Sequence, residues 1–143
     1  MTALKWVLVA FGVIFLIIVS VIVGSYFWAQ SVESVPLTKA DIEVGGSYPA
    51  AERDALIAAC QKNSKVGSNP TACTCLADKA GTEFSRFERL VLTAGLEMSP
   101  RKVVALVKGL GESGVSHADI DGIEAKAKER TEAVLKSCGI DQK

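Results

Sequence analysis

The chain has 143 residues, 49% of them hydrophobic, with 16 basic residues against 16 acidic ones and four cysteines. That length leaves room for one domain plus an appendage. The even charge balance excludes the basic face that nucleic-acid binding requires, so no nucleic-acid partner is expected.

Residues 6–29, "WVLVAFGVIFLIIVSVIVGSYFWA", carry no charge. A run this long meets the roughly 20 residues a helix needs to cross a bilayer. Between Trp6 and Trp28 such a helix rises about 33 Å. Both ends carry aromatics suited to the headgroup zone, Trp6 on one side and Tyr26, Phe27 and Trp28 on the other. The expectation is a transmembrane anchor over residues 1–29, in contact with the lipid bilayer. A cleavable signal peptide competes with it, because Ala29 to Ser31 offers a small-x-small cleavage site. Its apolar region is normally about 7–15 residues, shorter than this run. Within the anchor, Ser20 and Gly24 form a small-xxx-small pair that lets another helix come close.

Only Lys5 precedes the run, and the flank beyond it holds Lys39 against Glu33, Asp41 and Glu43. This thin asymmetry favours a cytoplasmic N-terminus and an exported domain. An even number of cysteines suits an oxidising compartment. The expected location is the bacterial inner membrane, single-pass, with the C-terminal domain in the periplasm.

Residues 30–48 show no sustained periodicity and include Pro36 and the Gly45-Gly46 pair, so they read as a linker. From Pro49 onward the pattern is helical. Pro49 opens a helix that runs to about Asn63, with Glu52 and Asp54 near its positive end. Asn69 caps a second with Pro70 at its first position, and Gly81 is expected to stop it. A third spans about Glu83 to Glu97, its apolar stripe being Phe84, Phe87, Leu90, Val91 and Ala94. Ser99 and Pro100 start a fourth, with Val103, Val104, Val107 and Leu110 inward. Ser116, with Asp119 three residues on, starts a fifth. Its stripe is Ile120, Ile123, Ala127, Val134, Leu135 and Cys138, and Gly139 ends it. The expected fold is all-α: one N-terminal transmembrane helix, then a small disulfide-stapled bundle of about five helices over residues 49–143.

The cysteines decide between a scaffold and a reactive site. Cys73 and Cys75, in "CTC", sit about 200° apart around a helix, so they leave on opposite faces. They are poorly placed to bond to each other or to grip one metal. Cys60 ends the preceding helix and Cys138 ends the last one. Two disulfides are therefore expected, joining Cys60 and Cys138 to Cys73 and Cys75, with both pairings open. A Cys-x-Cys pair also suits Cu(I), which keeps Cys73 and Cys75 as an alternative metal or thiol-redox site. The supporting ligands are thin: the methionines are Met1 and Met98, and the one histidine is His117. The pattern over residues 55–80 looks like that of many small exported helical proteins of bacteria, and it carries no activity with it.

Other motifs yield no chemistry. "GLGESG", Gly109 to Gly114, fits G-x-G-x-x-G but follows a helix where a dinucleotide loop follows a strand. "SHADIDG", residues 116–122, is explained by a helix start, and it lacks the spacing of a calcium loop. "KAKER", residues 126–130, is flanked by Glu124, Glu129 and Glu132, which predicts salt pairs along one solvated helix face. Arg101 and Lys102 crowd a helix start, which hints at an acidic partner or lipid headgroups.

No catalytic residue, cofactor, metal or small-molecule substrate is expected. The functional expectation is a non-enzymatic accessory or assembly subunit of a larger membrane complex, respiratory ones included. The alternative is a membrane-tethered thiol-redox or copper-transfer factor using Cys73 and Cys75.

Overall fold

The computed structural model describes residues 2–63 and 69–140, the side chains of residues 2–15 excepted. Among them there is no strand. The helices are α1 (Thr2–Ser31), α2 (Ala50–Lys62), α3 (Pro70–Glu83), α4 (Arg86–Leu96), α5 (Pro100–Glu112) and α6 (His117–Ser137), with a short 3-10 turn at Lys39–Ile42. The chain divides into two compact units, Met1–Glu33 and Ser34–Lys143.

The first unit is α1. Its described side chains are mostly apolar, Ser20, Ser25, Gln30 and Ser31 being the polar ones, and all but Ala29 are exposed, with Leu16, Val21 and Phe27 each 65% exposed. Among the described residues no helix is long and apolar enough to cross a membrane. The anchor expected over residues 1–29 is therefore not shown. The side chain of Trp6 and the rest of its first half lie outside the described residues. From Leu16 to Trp28 a helix rises only about 18 Å, short of the roughly 30 Å hydrocarbon core.

The second unit forms an all-α bundle. Helices α3, α4 and α6 start where a side chain satisfies free N–H groups of the first turn, whereas α2 and α5 start without a side-chain cap. Asn69 Oδ1 accepts from Thr71 N at 3.1 Å and Ala72 N at 3.4 Å, with Pro70 at the first position of α3. Ser116 Oγ accepts from Asp119 N at 3.2 Å at the start of α6. Two expected boundaries move. Helix α3 runs past Gly81 to Glu83, and α4 begins at Arg86 behind a Ser85–Glu88 capping box. Gly81 is not a stop: a Cβ there would lie 2.8 Å from the Tyr48 ring, so the missing side chain makes room for packing.

Residues 34–48 are not a free tether but a strap laid over the helices. Val35 N donates to Ala105 O at 3.2 Å, and Leu37 is buried. Its carbonyl crosses α5 so closely that a Cβ on Gly109 would lie 1.9 Å from Val35 O. Thr38 and Asp41 close a capping box over the 3-10 turn, and Val44 bridges to Ser85. An extended strap lacks the 3.6-residue period by which helices are found, so periodicity alone reads it as a linker. It also rotates the buried face of α5. Ala105, Leu106, Gly109 and Leu110 are inward, while Val107, expected inside, is 50% exposed.

Two apolar clusters result. One joins α2, α3 and the end of α6 through Leu56, Cys60, Cys73, Leu76 and Val134. The other joins the strap, α4 and α5 through Leu37, Phe87, Ala94, Leu106 and Leu110, with Ile120 and Ile123 of α6 packed at its margin. Helix α6 thus reaches both clusters, and its Gly139 adopts φ +74° to turn the chain so that Ile140 is buried.

Candidate docking groove and its disulfide frame

The "CTC" stretch acts as a fork. Cys73 bonds to Cys60 and Cys75 to Cys138, with Cα–Cα distances of 5.6 and 5.8 Å. The opposed faces expected for Cys73 and Cys75 are realised, and the pairing left open is resolved. No cysteine is free. The first bond closes the α2–α3 hairpin, and the second ties α3 to the C-terminal end of α6. Among the described residues no three His, Cys, Asp or Glu side chains gather in a metal-ligating group.

Of the other expected site residues, Ser20 and Gly24 lie on α1, where a Cβ on Gly24 would meet nothing within 4 Å. Trp28 is 44% exposed. His117 is the exposed first residue of α6, and Arg101 is exposed, whereas Lys102 pairs with Glu97. The "GLGESG" loop is not a loop at its start, since Gly109 lies inside α5.

An open groove of about 770 Å³ lies between α4, α5 and α6. Helix α4 supplies its floor with Phe87, Val91 and Leu96. Val103 and Val107 of α5 form one wall, and Ile120, Ile123 and Ala127 of α6 form the other. Sequence periodicity assigned all of these residues except Leu96 to inward-facing apolar stripes. What it did not show is that an open groove lies between α5 and α6, leaving their facing stripes only partly covered. Gly95 of α4 also lines the groove, and a Cβ there would meet nothing within 4 Å.

The groove is edged by charge on one side. Glu124, Lys128 and Glu132 line it from α6, spaced one turn apart along a ridge. None of them takes part in an ion pair among the described residues. Arg130 does not join a helix-face pair with its neighbours in "KAKER". It reaches α4 and pairs with Glu88, which is 7% exposed. The ion pair links floor to wall.

A buried polar layer supports the floor from behind, and sequence reasoning missed it. Arg89 is 1% exposed and donates to Phe84 O at 3.1 Å and Ser47 O at 2.8 Å. Arg86 joins Glu52 at 2.9 Å and Asp41 at 3.3 Å, pinning the strap to α2 and α4. Burial works to raise the Asp41 carboxyl, but hydrogen bonds from Thr38 and Arg86 outweigh it and hold it below its ordinary value. Burial pushes the Tyr48 hydroxyl up. The signal available was the S-x-x-E spacing of Ser85 and Glu88, a helix-start signature that places Arg89 one turn in and facing the strap.

Compared with protein-family models, curated proteins and solved structures, the chain shows no significant match.

Proposed function

We propose that the chain is a non-enzymatic, membrane-anchored docking subunit, an accessory or assembly component of a larger membrane complex. The observation that carries this reading is the apolar groove between α4, α5 and α6. A concave apolar surface built between three packed helices is a preformed seat for a partner. Its floor and walls are helices, and its length along α5 and α6 is a few helical turns, which suits an amphipathic helix laid in as an added bundle member. Two concave faces cannot fill each other, so a symmetric pair of copies does not satisfy the groove. The Glu124–Lys128–Glu132 edge calls for a partner helix with basic residues flanking its apolar stripe and an acidic one between them.

Helix α1 is the proposed anchor. It is one continuous helix of 30 residues, it carries no charge from Trp6 to Ala29, and its described side chains from Leu16 to Trp28 are apolar apart from Ser20 and Ser25. The two disulfides favour an oxidising space such as the bacterial periplasm for the helical unit. Copper or thiol transfer through Cys73 and Cys75 would need both sulfurs to face one site. Here each is bonded to a different partner, and Cys73 is fully buried.

The test is photo-crosslinking in intact membranes, with the reactive group at Val107 or Ile123 and a control at Thr74 on the far side of α3. Adducts from the two groove positions that map to one amphipathic helix of another membrane protein support the proposal. Equal adducts from Thr74, or none from the groove, overturn it.

A further inference from the structure

The two disulfides differ in access and in reach. Cys60 and Cys73 are both 0% exposed, inside the first apolar cluster, and close a sequence separation of 13. Cys75 and Cys138 are half-buried and span a separation of 63. That second bond fastens the last residues of α6 to α3. Beside it, Lys79 Nζ donates to Ser137 Oγ at 2.8 Å, an exposed contact, and Arg130 meets Glu88. Within α6 only Val134 and Leu135 are fully buried. The rest of α6, through Ile120, Ile123 and Ala127, is the movable candidate among the groove's three helices, since α4 packs on both α2 and α5.

We propose that Cys75–Cys138 is a reducible latch that holds α6 in place and thereby sets the shape of the docking groove. Its consequence for a partner rests on the docking reading above; the latch itself does not. The co-reactant is a dithiol reductant. Its thiolate attacks one sulfur of the Cys75–Cys138 bond, that bond breaks, and the departing sulfur leaves as a thiolate and takes up a proton. The reductant's second thiol then attacks the mixed disulfide and releases the other cysteine as a thiol. Two electrons and two protons pass to the chain, and the reductant ends as a disulfide. Cys60–Cys73 offers no exposed sulfur to the same attack and keeps the α2–α3 hairpin closed. Without its latch α6 depends on Val134 and Leu135, on the partly buried Ile120 and Ile123 at the margin of the second cluster, and on a few polar ties, so it opens locally before the bundle does.

The experiment treats the full chain in detergent micelles with dithiothreitol, and follows differential alkylation by mass spectrometry together with amide hydrogen exchange. Cys75 and Cys138 should be alkylated at least about tenfold faster than Cys60 and Cys73, and α6 amides should exchange at least about tenfold faster while α2, α3 and α4 stay protected. The C75S/C138S double variant should show the same exchange pattern without reductant. A single common rate for both disulfides overturns the proposal, as does unchanged α6 protection once Cys75–Cys138 alone is reduced. These readouts need no partner, so failure of the latch and failure of the docking reading are separate results. Should the double variant not fold, reduction of the natural chain still decides.

Discussion

The guanidinium carbon of Arg89 lies 4.4 Å from the centroid of the Tyr48 ring, joining the middle of the bundle to the point where the strap enters α2. The charge also satisfies two backbone carbonyls, the buried Phe84 O and the part-buried Ser47 O. The Tyr48 hydroxyl by contrast is buried without a hydrogen-bond partner among the described residues. Arg89→Ala should therefore lower unfolding free energy by about 3 kcal/mol, from two stranded carbonyls and the lost cation–π contact. Tyr48→Phe keeps the ring and removes an unsatisfied group, so it should leave stability within about 1 kcal/mol of the natural chain or raise it. Thermal unfolding of the full chain in mild detergent reads both. A large loss in Tyr48→Phe would contradict the assignment.

Two glycines of α5 should behave in opposite ways. Gly109→Ala forces a methyl against Val35 O, so the strap must lift, at a cost of about 2 kcal/mol. At Gly111 a Cβ meets nothing within 4 Å, and Gly111→Ala should stabilise the helix by about 0.5–1 kcal/mol. Denaturant midpoints of the two variants check the strap directly.

Met98 adopts φ +54° at the C-terminal turn of α4, a left-handed position that glycine fills without strain, and its side chain is 81% exposed. Met98→Gly should raise the unfolding temperature, with a gain of about 1 kcal/mol. A loss instead would mean that the exposed Met98 side chain contributes contacts worth more than the strain.

Because the folded pKa of Asp41 is depressed, its contribution is present above the unfolded value and lost as pH falls through the folded one. Stability should therefore decline below about pH 4, and Asp41→Asn should flatten that decline. Tyr48, raised by burial, contributes in the opposite direction. Its share is intact below its ordinary value of 10.0 and is lost as pH rises through the higher folded value. Unfolding midpoints measured across pH for the natural chain and Asp41→Asn separate the two arms.

Much of the helical frame was legible in the residues. Asn69-Pro70, Ser99-Pro100, Ser116 and Gly139 mark helix ends through local hydrogen bonding and backbone freedom, and those rules act within a few residues. The fork at Cys73 and Cys75 followed from helical geometry alone. The strap was not legible, since an extended segment that packs through Val35 and Leu37 has no period to detect. Nor was the groove. Ile120, Ile123 and Val107 look like core residues in any stripe, and only the packing of α4, α5 and α6 shows that they line an open groove. Nothing local in the sequence marks Arg89 and Glu88 as buried, because burial of a charge depends on partners distant in sequence, Ser47 and Arg130.

The most direct test of the docking groove is Gly95→Met. The position faces the groove, no atom lies within 4 Å of an added Cβ, and methionine favours the helix over glycine. Stability of the purified chain should be unchanged or slightly higher. Crosslinking from Val107 to its partner helix, and co-purification of that partner in mild detergent, should fall at least about tenfold, as expected when a side chain fills an interface pocket. Retention of the same crosslinked partner at the same yield by a folded Gly95→Met chain would contradict the groove as the docking surface.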